Sequence, residues 1–129
     1  MRLFYIIPVL FNLIVVRPDC NSIKNGEFEI FHSDVNGIMT TTSIERNDST
    51  QIETNYQSGV KLKFSVKWLD ECTYQLFWVE TISDKYELQY PEDMILTVEI
   101  LDITDEYYLQ KSSSNLYDEE FEGKVFFKK

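Results

Sequence analysis

A chain of 129 residues, 43% hydrophobic and 15% aromatic, is long enough for one domain with its own core and too apolar for wholesale disorder. Its formal net charge of −10 repels a phosphate backbone and an anionic membrane surface, so nucleic acid is not expected as a partner. Acidity of this degree serves solubility and by itself names no ligand.

Met1 and Arg2 make a short basic start, and Leu3 to Val16 is nearly all apolar. That run of about 14 residues suits a signal segment better than a spanning helix, which needs about 20. Pro8 also weakens a membrane helix. No small-residue pair precedes Arg17-Pro18-Asp19-Cys20, so the cleavage point is not defined. An uncleaved anchor and a buried first strand are the alternatives, and Pro18 and Asp19 oppose lipidation at Cys20. The expected organisation is a signal peptide over residues 1–17 and a single β domain over 18–129. The chain is then exported, periplasmic or secreted, with no membrane span in its mature part.

Cys20 and Cys72 are the only cysteines. An exported chain meets an oxidising compartment, and two cysteines allow one connectivity. A Cys20–Cys72 bridge is expected to stabilise the fold by roughly 3–4 kcal/mol and to staple a segment that would otherwise fray. Two cysteines and the lone His32 do not fill a tetrahedral zinc shell, so no metal or cofactor is expected.

Downstream, Asn25-Gly26 is a turn signal. Glu27 to His32 alternates, with Phe28 and Ile30 on one side and Glu27 and Glu29 on the other. Asp34, Asn36 and Gly37 turn the chain into a Thr- and Ile-rich strand, Ile38 to Arg46. Asn47 to Thr50 is a turn, Gln51 to Tyr56 a strand, and Ser58-Gly59 a break. The clearest strand is Val60 to Trp68: Leu62, Phe64, Val66 and Trp68 share one face, and Lys61, Lys63, Ser65 and Lys67 the other. After Asp70-Glu71, Cys72 to Thr81 puts Tyr74, Leu76 and Trp78 in phase. Residues 83–93 are irregular, with Tyr86, Leu88 and Tyr90 among them. Met94 to Ile103, Tyr107 to Lys111 and Phe121 to Phe127 complete the strands, and Ser112 to Asn115 reads as a loop. About eight short strands at hairpin spacing predict an all-β antiparallel meander, either a lipocalin-like up-and-down barrel or a sandwich.

Taken together, Cys20, Lys24-Asn25-Gly26-Glu27-Phe28, Ile44-Glu45-Arg46, Gln51-Ile52-Glu53, Val66-Lys67-Trp68 and Asp70-Glu71-Cys72-Thr73-Tyr74-Gln75-Leu76 resemble a family of small exported flavobacterial proteins of unknown function. The likeness is good from Cys20 to about Leu76 and looser beyond. It implies export and a paired cysteine, and it implies no activity. Some members carry the label "DNA topoisomerase IV"; nothing here supports it, for the chain has no basic groove, nucleotide loop or multi-domain length. Gly26-Glu27-Phe28 is also similar to the opening Gly-x-Trp of lipocalin-like barrels, with Phe in place of Trp.

The most informative polar group is Arg46, Gln51 and Glu53. If the Asn47–Thr50 turn is an even-numbered hairpin, Arg46 faces Gln51, Ile44 faces Glu53, and Arg46 and Glu53 are diagonal neighbours. A bulge there would flip Glu53 to the other face. The group reads either as a charged pair at a barrel mouth holding a small polar ligand or as a surface ion pair worth about 0–1 kcal/mol. Phe64, Trp68, Tyr74 and Trp78 have core parity, and a barrel of about eight strands has room for one small ligand. Arg46, Gln51, Glu53, Trp68, Tyr74 and Trp78 are therefore the candidate ligand-binding residues. His32 reads as a strand-end residue, the Asp118–Glu122 acidic run as a solvated turn, and Asn47-Asp48-Ser49-Thr50 as an exposed turn that matches glycosylation acceptors. No catalytic residue is expected. The expected role is a non-enzymatic binding or interaction module, its partner a small molecule or an envelope protein. The alternative is a lipocalin-like carrier of a small apolar ligand. A small hydrolase with carboxylate chemistry is the least favoured reading.

Overall fold

The computed structural model describes residues 18–33, 36–85 and 91–129. The expected signal segment, the turn residue Asp34, and Tyr86, Leu88 and Tyr90 lie outside them. Eight antiparallel strands follow one another in a meander and close into a barrel: β1 (Gly26–Ser33), β2 (Met39–Arg46), β3 (Thr50–Asn55), β4 (Lys61–Asp70), β5 (Thr73–Ser83), β6 (Ile95–Ile103), β7 (Tyr107–Ser114) and β8 (Glu120–Phe127). Of the two architectures the sequence leaves open, the chain adopts the barrel. Closure removes the free edges that a sandwich would keep. It is made where Phe28 pairs with Phe127 and Glu29 with Phe126.

A short 3-10 turn, Cys20–Ile23, precedes β1. The Asp19 side chain accepts from the Asn21 amide and starts it. Cys20 and Ile23 are fully buried, so the turn plugs one end of the barrel. The expected disulfide joins Cys20 to Cys72, Cα to Cα 5.3 Å, tying the plug to the β4–β5 connection. The chain then enters β1 through Gly26, whose φ of +142° disfavours other residues. A Cβ there would also come within 3.2 Å of the Phe28 ring, which gives the Gly-x-Phe sequence a local steric reason.

The period-two reading of β4 holds. Phe64 and Val66 are buried, Leu62 and Trp68 pack against the core, and Lys67 is exposed. In β5 the register shifts between the pairs Lys63↔Glu80 and Phe64↔Trp78. Val79 is the extra residue and is about half exposed, and beyond it Thr81 rather than Glu80 comes opposite Leu62. One expectation fails. Ser112 to Ser114 is not a loop: Ser112 pairs with Val98 and Ser114 with Leu96. Serine favours turns through local side-chain hydrogen bonds, but the β6 ladder captures these backbones first. The true turn begins at Asn115, whose Oδ1 accepts from the Ile95 amide at 2.7 Å.

Candidate binding site in the barrel interior

The site starts at the β2–β3 turn. Asn47 Oδ1 accepts from the amides of Ser49 and Thr50 at 3.0 and 2.9 Å, and the Asn47 amide donates to the Thr50 carbonyl at 2.9 Å. This closed turn admits no bulge. Arg46 therefore pairs with Gln51 and Ile44 with Glu53, and all four side chains share the inward parity of Phe28.

Arg46 is 4% exposed. A guanidinium this deep needs partners for its donors. Its Nε donates to Gln51 Oε1 at 2.7 Å, Nη1 to the Ile23 carbonyl at 2.9 Å, and Nη2 to the Tyr74 and Tyr108 hydroxyls at 2.9 and 2.8 Å. It also lies over the Phe28 and Tyr74 rings, 4.8 Å from each centroid, where the ring quadrupole favours a cation. Burial alone would lower its pKa, but the Tyr74 and Tyr108 hydroxyls and the Glu53 carboxylate outweigh burial and raise it. Burial pushes the Tyr74 phenol well above its usual range.

Gln51 relays the interaction. Its Oε1 is fixed by Arg46, so its Nε2 points onward and donates to Glu53 Oε2 at 2.7 Å. Among the described residues Arg46 and Glu53 form no direct ion pair. Burial raises the Glu53 pKa, and the hydrogen bond from Gln51 and the charge of Arg46 do not fully offset it. The expected charged pair at a mouth or on the surface is thus corrected. The arginine belongs to the closed end, beneath the Cys20–Ile23 plug, and a buried amide separates the charges.

Above this floor lies a chamber of about 180 Å³. Its apolar walls are Ile30, Ile44, Leu76, Leu96 and Val98. Its polar lining is Gln51, Glu53, Tyr74, Gln110 and Ser112. A second, mostly apolar hollow of about 210 Å³ shares Leu96 and Ser112 with it, and Ser113, Ser114, Met94, Tyr117, Glu119 and Phe121 complete its described lining. Tyr117 and Glu119 belong to the β7–β8 connection, so this hollow sits towards the end of the barrel opposite the plug, like a vestibule. Arg46 does not line the chamber; it borders an open depression at the closed end beside Glu27 and Glu45.

Of the six residues singled out from the sequence, the structure brings four together: Arg46, Gln51, Glu53 and Tyr74. Trp68 stacks on Tyr74 at 4.8 Å, with the Lys24 ammonium 4.9 Å from its own ring, and caps the closed end. Trp78 faces Phe64 and packs on the core. Neither tryptophan lines the chamber. His32 is exposed at the far end of β1, its Nε2 3.1 Å from Thr42 Oγ1. Sequence reasoning missed Tyr108, Gln110 and Ser112. The alternation Tyr108, Gln110, Ser112 opposite Val98 and Ile100 was the available signal, hidden once Ser112 reads as a loop. Comparison with known proteins finds no matching family model, no matching curated protein and no matching solved structure.

Proposed function

We propose that the protein is an exported, non-enzymatic binding module that holds one small molecule inside its barrel. The chamber carries this reading: a concave, half-open space with apolar walls and a few convergent polar groups is the usual form of a small-ligand site. Its size limits the ligand. An apolar cavity of about 150 Å³ accepts a benzene-sized molecule, whereas drug-sized ligands need about 300 Å³ or more. A long-chain lipid is too large, and Glu53 at the base argues against a purely apolar guest, which disfavours the carrier alternative. Arg46, Gln51, Tyr74 and Tyr108 satisfy one another, which suits a rigid floor better than acid–base chemistry. The disulfide supports an oxidising compartment. No described helix is long and apolar enough to cross a membrane, and exposed Glu27, Lys67, Glu99 and Lys124 on the outward faces of strands support a water-facing exterior. A second reading, contact with an envelope protein, draws on the rim opposite the plug, where Met39, Tyr117 and Phe121 are each about three-fifths exposed.

A neutral probe tests the binding role. Benzyl alcohol titrated into the full-length, disulfide-bonded chain should shift the methyl resonances of Ile30, Ile44, Leu76, Leu96 and Val98 saturably and show intermolecular contacts to them. Shifts confined to exterior residues, or none, would overturn the reading.

A further inference from the structure

We infer that the chamber selects a small organic amine, an apolar body near benzene in size whose protonated nitrogen meets Glu53; this rests on the binding role proposed above. The sign of the lining charge favours a cation. Among the described lining residues Glu53 is the one carboxylate, and none is Lys, Arg or His. Arg46, the interior group suited to a ligand carboxylate, is engaged elsewhere: it donates to Gln51, Ile23, Tyr74 and Tyr108 and borders another space. An anionic guest would therefore meet Glu53 and find no exposed counter-charge.

The adjoining hollow has the same polarity. The vestibule carries Glu119 and, among its described residues, no basic group. The chain's net charge of −10 raises the local concentration of cations over that of anions.

Geometry then divides the guest into two parts. Ile30, Ile44, Leu76, Leu96 and Val98 offer walls for a ring or short alkyl body. The carboxylate is anchored on one side only: Glu53 Oε2 accepts from Gln51, and Gln51 cannot turn away because its oxygen is held by Arg46. An ammonium has three donors, so one can meet Glu53 while the others remain for neutral acceptors elsewhere on the lining, such as Gln110 or Ser112. Energetics points the same way. Burial disfavours the charged carboxylate, and its nearest cation lies beyond the Gln51 side chain. A bound ammonium would supply the missing counter-charge at contact distance, where a charge-assisted hydrogen bond is stronger than a neutral one.

The test compares benzylamine, benzyl alcohol and benzoate, which share a ring and differ in charge, by calorimetry and methyl NMR on the full-length, disulfide-bonded chain at pH 7. Benzylamine should bind about tenfold or more tightly than benzyl alcohol, and benzoate should be weakest, with the amine's shifts at Ile44 and Leu76. In Glu53→Gln the ratio of amine to alcohol affinity should fall towards one. Should that variant not fold, the three-probe ranking on the unsubstituted chain still decides. Benzyl alcohol or benzoate binding as well as benzylamine, or a preference that survives Glu53→Gln, would overturn the amine assignment and leave the binding role standing. Failure of all three probes would overturn both.

Discussion

Arg46 is the residue on which most of the interior polarity depends. Its removal strands the Ile23 carbonyl, the Gln51 oxygen and two tyrosine hydroxyls at once. Breaking a buried charge network from one side typically costs about 3–5 kcal/mol. Arg46→Met, which keeps volume and loses every donor, should lower the unfolding free energy by that amount in urea titrations; a loss within about 0.5 kcal/mol, typical of a surface site, would place the side chain in solvent. Glu53 makes the opposite kind of prediction. Its folded-state pKa is raised by burial, despite Gln51 and Arg46. For a raised acid, the stabilising contribution is complete below the unfolded pKa, about 4.3, and is lost as pH rises through the folded pKa. The groups that bear on it are Arg46, Tyr74 and Gln51. Thermal melts should show the native protein losing stability relative to Glu53→Gln as pH rises from about 4 through that raised midpoint. A gain over the same window would mean that Glu53 is directly ion-paired. At this scale the sequence was half legible. Residue types and hairpin spacing placed Arg46, Gln51 and Glu53 side by side. Whether they faced water or core depended on the Cys20–Ile23 plug and on Tyr108, the latter distant in sequence.

Two local devices hold the closed end. One is the Asn47 turn, where a single side-chain oxygen takes two backbone amides. Asn47→Ala should cost about 1–2 kcal/mol, at roughly 0.5–1.5 per net hydrogen bond, measured by chemical unfolding; a neutral result would show that pairing between β2 and β3 fixes the register alone. The other is the bridge. Cys20→Ser with Cys72→Ser should cost roughly 3–4 kcal/mol, and hydrogen exchange should speed first at the Cys20–Ile23 turn. Exchange spread evenly over the barrel would mean the bridge does not secure the plug in particular. Strands were the most legible level, because alternation of side chains is a local property. The Val79 bulge was not legible. Glu80 and Thr81 are ordinary strand residues, and the extra position arises only from pairing β5 against β4. The Ser112–Ser114 run shows tertiary pairing overriding local turn preference.

Barrel closure is the property of the whole molecule that no local pattern announces. The pairs Phe28↔Phe127 and Glu29↔Phe126 join opposite ends of the sequence, and aromatic contacts flank them: Phe28 with Phe127 at 5.9 Å and Phe31 with Phe126 at 5.5 Å. Alternation is the same in a sandwich and a barrel, so only this long-range seam separates them. The seam also creates an inside, and the inside gives Glu53 its unusual setting. A carboxylate held in a half-open, largely apolar chamber is thus the central feature of the molecule. The most direct measurement is a carbon-13 NMR titration of the Glu53 side-chain carboxyl in the disulfide-bonded protein. It should titrate above the ordinary glutamate value of about 4.3, because burial disfavours the charged form, and shift downward when benzylamine is bound. A Glu53 midpoint at or below that ordinary value would contradict the chamber and the function built upon it.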